Sequence, residues 1–181
     1  MALTPRESGK LISEVARDVM VNNAAIEDLN LNIPKSIQEI TEQWHSFDGH
    51  PTRDHPHLID YIFCIDSLNF SFWHNDPDDV CRIEGKSGYA ALLRALGRDK
   101  RMWDPLYYSK LTFEDMKRLF NTDSGAEFPM LKERLQILQE NGRILLDKFG
   151  GAAENIIRAG DHDSNKIVAV LVSNFPSFRD E

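Results

Sequence analysis

Apolar positions along the chain recur mostly every three or four residues, the spacing that gathers them on one face of a helix. Thr4, Pro5 and Glu7 make a start signal: a capping hydroxyl, a first-turn proline and a carboxylate three positions on. Leu11, Ile12, Val15, Ala16, Val19 and Met20 then repeat at helical spacing. A short amphipathic stretch ends before Pro34, and from Ser36 a further helix sets Ile37, Ile40 and Trp44 on one stripe until Asp48-Gly49. Residues 49–57 (GHPTRDHPH), with two prolines and three histidines, read as a solvated loop. The most apolar window follows, LIDYIFCIDSLNFSFW over 58–73. Strict alternation fails at Tyr61-Ile62-Phe63 and the run outlasts a usual strand, so a buried helix is expected.

An acidic turn, HNDPDDV, leads into CRIEGKSGY, which reads as a small β-ribbon turning near Glu84-Gly85. Ser87-Gly88-Tyr89 opens a helix through ALLRAL to Gly97, and Thr112 with Asp115 marks the start of FEDMKRLF. The longest helical pattern begins at Pro129, carries Leu131, Leu135, Leu138, Leu145 and Leu146, is interrupted by Gly142 and ends at Gly150-Gly151. Two shorter segments follow, around 152–159 and 165–173. The expected architecture is mainly α: a single helical domain with one small β-hairpin near 80–89. Phe175 and Phe178, in the closing FPSFRDE, have no obvious later partner, so an exposed apolar end able to self-associate is expected.

Composition narrows the function classes. Ten Phe, three Trp and four Tyr in 181 residues can fill a core, and 41% hydrophobic with 28% charged residues is ordinary for a globular chain. With 21 basic against 29 acidic residues the net charge is −8, which argues against a surface built to neutralise nucleic-acid phosphates. Two cysteines, Cys64 and Cys81, are too few for a disulfide scaffold or a four-thiolate zinc site and are expected reduced and packed. The N-terminus lacks the apolar core of a signal peptide, and the run IVAVLV (167–172) is far short of a membrane span. A soluble intracellular protein, cytoplasmic or nuclear, is the expectation.

Most chemical motifs fail on their geometry. Gly85-Lys86-Ser87 would need a glycine at position 80 to wrap phosphates, and that position is Val. His50, His55 and His57 lack a supporting Cys or carboxylate cluster for zinc. Asp76, Asp78 and Asp79 lack the glycine turn and distal Glu of a calcium loop. No metal or cofactor is expected. His45, where a helix gives way to a loop, can present one ring nitrogen to a cavity or simply cap the surface. In Asp66-Ser67-Leu68-Asn69-Phe70-Ser71-Phe72-Trp73, helical spacing would put Asp66, Asn69 and Trp73 on one face. Polar groups in so apolar a segment cost about 1–3 kcal/mol each if unpaired. They either brace neighbouring loops or face a ligand, with the aromatics stacking on a planar heterocycle.

Taken together, PRES (5–8), ARDV (16–19), DSLNFSFW (66–73), KSGYAALLRAL (86–96), LKERLQILQENGRILLDKFGG (131–151) and FPSFRD (175–180) resemble the queuosine salvage proteins, the queuosine 5'-phosphate N-glycosylase/hydrolases. The resemblance runs over nearly the whole chain in order. It implies a mostly helical fold related to the DNA glycosylases. It also implies cleavage of the N-glycosidic bond of queuosine 5'-phosphate, which frees queuine for insertion into tRNA by a separate enzyme. The implied partners are that small-molecule substrate and queuine, with no direct nucleic acid, no membrane and no cofactor.

Family members continue past the FPSFRD block, and their active-site carboxylate lies in that later part. The resemblance therefore casts residues 1–181 as the N-terminal part of the enzyme, with the catalytic carboxylate expected beyond Glu181 and no catalytic residue nominated here. His45 matches a family position contacting the queuine moiety, and Asn69, Phe72 and Trp73 belong to the most distinctive block; these four are the candidate substrate-binding residues. The competing reading is a non-catalytic helical module that binds queuine or another chain.

Overall fold

The computed structural model describes residues 4–18, 20–28, 36–73 and 81–179. They fall into two compact units, Met1–Glu42 and Gln43–Glu181.

The first unit opens with α1 (Pro5–Val15), set by its capping box: Thr4 Oγ1 accepts from the Glu7 amide while the Glu7 carboxylate takes the Thr4 N–H. The helix stops at Val15 instead of running to Met20, and Ala16 turns extended. Leu11, Ile12, Val15 and Met20 are all exposed, so no burial extends the stripe. α2 (Asn23–Asp28) is the short amphipathic stretch, and α3 (Ile37–His45) crosses from the first unit into the second. The acidic turn with Asp76, Asp78 and Asp79 lies outside the described residues, as does Val19.

The second unit holds the core. α4 (Leu58–Ser67) buries Phe63, Cys64 and Ile65; then β1 (Arg82–Ile83) pairs antiparallel with β2 (Lys86–Ser87), Ile83 opposite Lys86. Glu84 and Gly85 both take positive φ (52° and 73°), the turn that suits a two-residue hairpin. The Asp123 carboxylate fixes it by accepting both turn amides at 2.8 Å. α5 (Gly88–Gly97) lays Leu92, Leu93 and Leu96 into the core and packs on the hairpin and α4. α6 (Pro105–Tyr108), a single turn capped by Asp104, escapes the periodicity; α7 (Phe113–Leu119) has the expected capping box of Thr112 and Asp115.

The longest helix, α8 (Leu131–Phe149), packs against α4, α6 and α7. Gly142 does not interrupt it. A Cβ there would lie 2.7 Å from Ser109 Cβ and 2.8 Å from the Pro105 carbonyl oxygen, so the glycine lets α6 seat directly on α8. α9 (Glu154–Ala159) and α10 (Ser164–Asn174) follow, then a single 3-10 turn over Pro176–Phe178. The closing phenylalanines are not left without partners. Phe175 is fully buried between Phe63 and Phe149, and Phe178 stacks on Phe63, which removes the observation behind self-association through that end. Cys64 and Cys81 are both buried, and burial pushes the Cys64 thiol up to about 12. Among the described residues no helix is long and apolar enough to cross a membrane.

Candidate functional site

The candidate chemistry gathers at the two ends of α4. The segment entering the helix, 49–57, is the expected loop and exposes Gly49, Thr52, Arg53, Asp54 and Pro56, but its three imidazoles are half-buried. Gly49, at φ 94°, brings the loop against Leu93, and His50 then packs among Trp44, Phe47 and Tyr89 at ring-centroid distances of 4.1, 5.1 and 5.4 Å. His55 stacks on Tyr61 at 5.9 Å, and His57 lies parallel to Trp103 at 3.3 Å. Ring-on-ring packing of this kind adds about 0.5–1.5 kcal/mol per pair beyond simple burial, which is how a polar loop comes to be held. The three imidazoles, Tyr61 and Trp103, with Asp99 and Lys100, line a cavity of about 530 Å³. The His55 Nδ1 accepts the His57 N–H at 3.1 Å, which places the ring hydrogen of neutral His55 on Nε2. Among the described residues no group of three or more His, Cys, Asp or Glu is placed to hold a metal ion.

At the far end, α4 stops at Ser67, six residues short of the expected helix. The cause is Arg134, fully buried on α8. Its guanidinium donates to the carbonyls of Leu68, of Phe70 (2.5 Å), of Ser71 (2.9 Å) and of Pro129 (2.9 Å), and lies over the rings of Phe70, Phe128 and Phe72 at 4.4, 5.1 and 5.3 Å. Carbonyls that a helix would use internally are satisfied by the cation, and Ser71 takes a left-handed φ of 41°. Burial lowers the Arg134 pKa to about 10, so the group stays charged at neutral pH.

This end of α4 redistributes the candidate residues. Asp66 remains on the helix while Asn69 and Trp73 lie beyond it, so the three do not share a helical face. Phe72 turns inward, edge-on to Phe128 at 6.4 Å, whereas Asn69 is exposed and Trp73 is 85% exposed. His45 is the last residue of α3, and its side chain is outside the described set. Asp66 sits in the field of His50 and Tyr89; desolvation raises its pKa, and burial first, with the Asp66 charge second, pushes Tyr89 up to about 12. Asp60 is braced: its Oδ1 accepts the Ala153 N–H at 2.7 Å and its Oδ2 lies 3.9 Å from His57 Nδ1.

Sequence reasoning passed over Arg134, Tyr61, Trp103 and the 97–103 stretch. Arg134 was visible as a cation on the apolar stripe of α8, three after Leu131 and four before Leu138.

A mainly helical unit with an aromatic-walled cavity and outward-facing Asn69 and Trp73 has the parts of a small-molecule site. A family model described as queuosine salvage protein matches residues 49–181. The chain is 34% identical over 189 residues to the Mus musculus queuosine 5'-phosphate N-glycosylase/hydrolase, covering 99% of this chain and 56% of that protein. The Bos taurus protein of the same name is 34% identical over 190 residues (98% and 56%), and that of Sphaerobacter thermophilus 28% over 175 (93% and 53%). The chain thus spans about half the length of the curated relatives it matches. It belongs to the queuosine salvage protein family.

Proposed function

We propose that the protein acts in hydrolysis of the N-glycosidic bond of queuosine 5'-phosphate, and that these 181 residues supply scaffold and part of the base pocket. The observation that carries this reading is the match to relatives of that name along 93–99% of the chain. Departure of the base leaves positive charge on the ribose, an oxocarbenium-like state that a nearby carboxylate stabilises or attacks before water completes hydrolysis. The outward Trp73 indole offers a face on which the deazapurine stacks, Asn69 reads its polar edge, and His45 contacts the queuine moiety. Phe72 acts from behind, as part of the ring cluster around Arg134 that shapes the segment. The charge-stabilising carboxylate comes from outside residues 1–181, and no metal or cofactor is required.

Incubating the 181-residue chain with queuosine 5'-phosphate tests this division. The chain is expected to release no queuine. Rapid release abolished by Asp66→Asn would place the reacting carboxylate in this chain and overturn the division.

A further inference from the structure

The run Ile167-Val168-Ala169-Val170-Leu171-Val172 sets six apolar residues in succession on α10. Consecutive positions of that number sweep the whole circumference of a helix, and a helix apolar all round belongs in an interior. α10 has the composition without the environment: none of its 11 residues is buried. Ile167, Val170 and Leu171 rest against the core. Asn165, Val168, Ala169, Val172 and Ser173, spaced to share the other face, are exposed, Val168 by 56%. That face carries no charge, in a chain with 28% charged residues.

The helix is nevertheless firmly set. Gly160 gives Ile167 its seat, since a Cβ there would lie 2.5 Å from Ile167 Cγ1. Asp163 caps the first turn by accepting the Lys166 N–H at 3.0 Å, and the Lys166 ammonium pairs with Asp161 at 2.7 Å. At the other end the Arg179 guanidinium donates to the carbonyls of Val172 and Ser173 at 2.9 and 3.3 Å. A ridge held this way loses little freedom when it is covered.

The size of the ridge selects its occupant. A helix face of this length is about 16 Å long and about 10 Å wide, roughly 160 Å². Stable association between separate molecules takes about 800 Å² on each partner, so this face alone does not hold a second copy or a free partner. It can hold a tethered segment, because tethering replaces bimolecular association with a high effective concentration. The family has polypeptide to supply one: the Mus musculus and Bos taurus relatives are matched over 56% of their length.

We propose that the outward face of α10 is the docking face for that remaining part of a family-length protein, which covers it with an uncharged, apolar segment. The inference rests on family membership and relative length, not on the proposed reaction.

The test introduces Val168→Lys and Val172→Lys together in the 181-residue chain, and lysine at the two aligned positions of the Mus musculus protein. The short chain is expected to keep its melting temperature within about 2 °C, and the long protein to lose roughly 5 °C or more. If the long lysine variant does not fold, threonine, which keeps the shape of valine, is read in its place with the same sign. Sedimentation of the short chain is expected to show a monomer with and without the substitutions. Equal changes in the two proteins, small or large, would overturn the proposal. So would a dimer of the short chain that the lysines dissociate, which would make a second copy the occupant. Turnover plays no part in these readouts, so the docking face and the functional reading fail separately.

Discussion

The loop that enters α4 and the segment that leaves it are built on opposite plans. Before the helix, polar imidazoles are held by neighbouring rings around an open cavity. After it, apolar rings are held around a buried cation that consumes the backbone carbonyls. The first arrangement leaves donors facing a space a ligand can fill. The second fixes a segment that displays Asn69 and Trp73 to solvent. The hydrophilic end of α4 therefore borders an open cavity, and the apolar end closes around a cation while still presenting Asn69 and Trp73 outward.

The largest expected effect that separates the two plans is at Arg134. Arg134→Met leaves the carbonyls of Leu68, Phe70, Ser71 and Pro129 without their donor, and is expected to cost about 3 kcal/mol or more in urea denaturation of the chain. A loss under about 1 kcal/mol would mean that the rings alone hold the segment. On the entering side, His57→Ala removes one stacked pair and is expected to cost about 1 kcal/mol by the same measurement. A cost matching that of Arg134→Met would erase the contrast.

A third effect is smaller and depends on pH. Hydrogen bonds from Arg101 above all, and from Tyr107, hold the Asp99 carboxyl well below the usual carboxylate range. A depressed folded-state pKa adds stability above the ordinary carboxylate range, lost as pH falls through the folded value. Arg101→Ala should therefore destabilise the chain at neutral pH and not in strong acid, and carboxyl NMR should show Asp99 titrating at higher pH. An unmoved Asp99 titration would contradict the assignment. The smallest effect is at Trp73: its exposed indole predicts that Trp73→Ala changes stability by no more than about 0.5 kcal/mol.

Much of this fold was legible because local chemistry decided it. The capping boxes at Thr4 and Thr112, the Glu84-Gly85 turn and the α8 stripe each act within a few residues, and each stands where its pattern puts it. What was not legible depends on contacts remote in sequence. Arg134 reaches back more than sixty positions to end α4, so helical spacing alone carried the helix to Trp73. Gly142 looks like a break until Ser109 and Pro105 arrive against it. The histidine loop reads as solvated because its partners Tyr61, Tyr89 and Trp103 come later in the chain. Of the candidate site, the block 69–73 was visible in sequence, but the inward turn of Phe72 and the outward turn of Trp73 follow from the buried cation.

The claim that the leaving segment forms part of a base pocket is tested most directly by titrating the 181-residue chain with queuine while following tryptophan fluorescence, in parallel with Trp73→Phe. The account predicts saturable quenching that Trp73→Phe abolishes while the melting temperature stays unchanged. Saturable quenching of equal size in Trp73→Phe, or none in the parent chain, would contradict it.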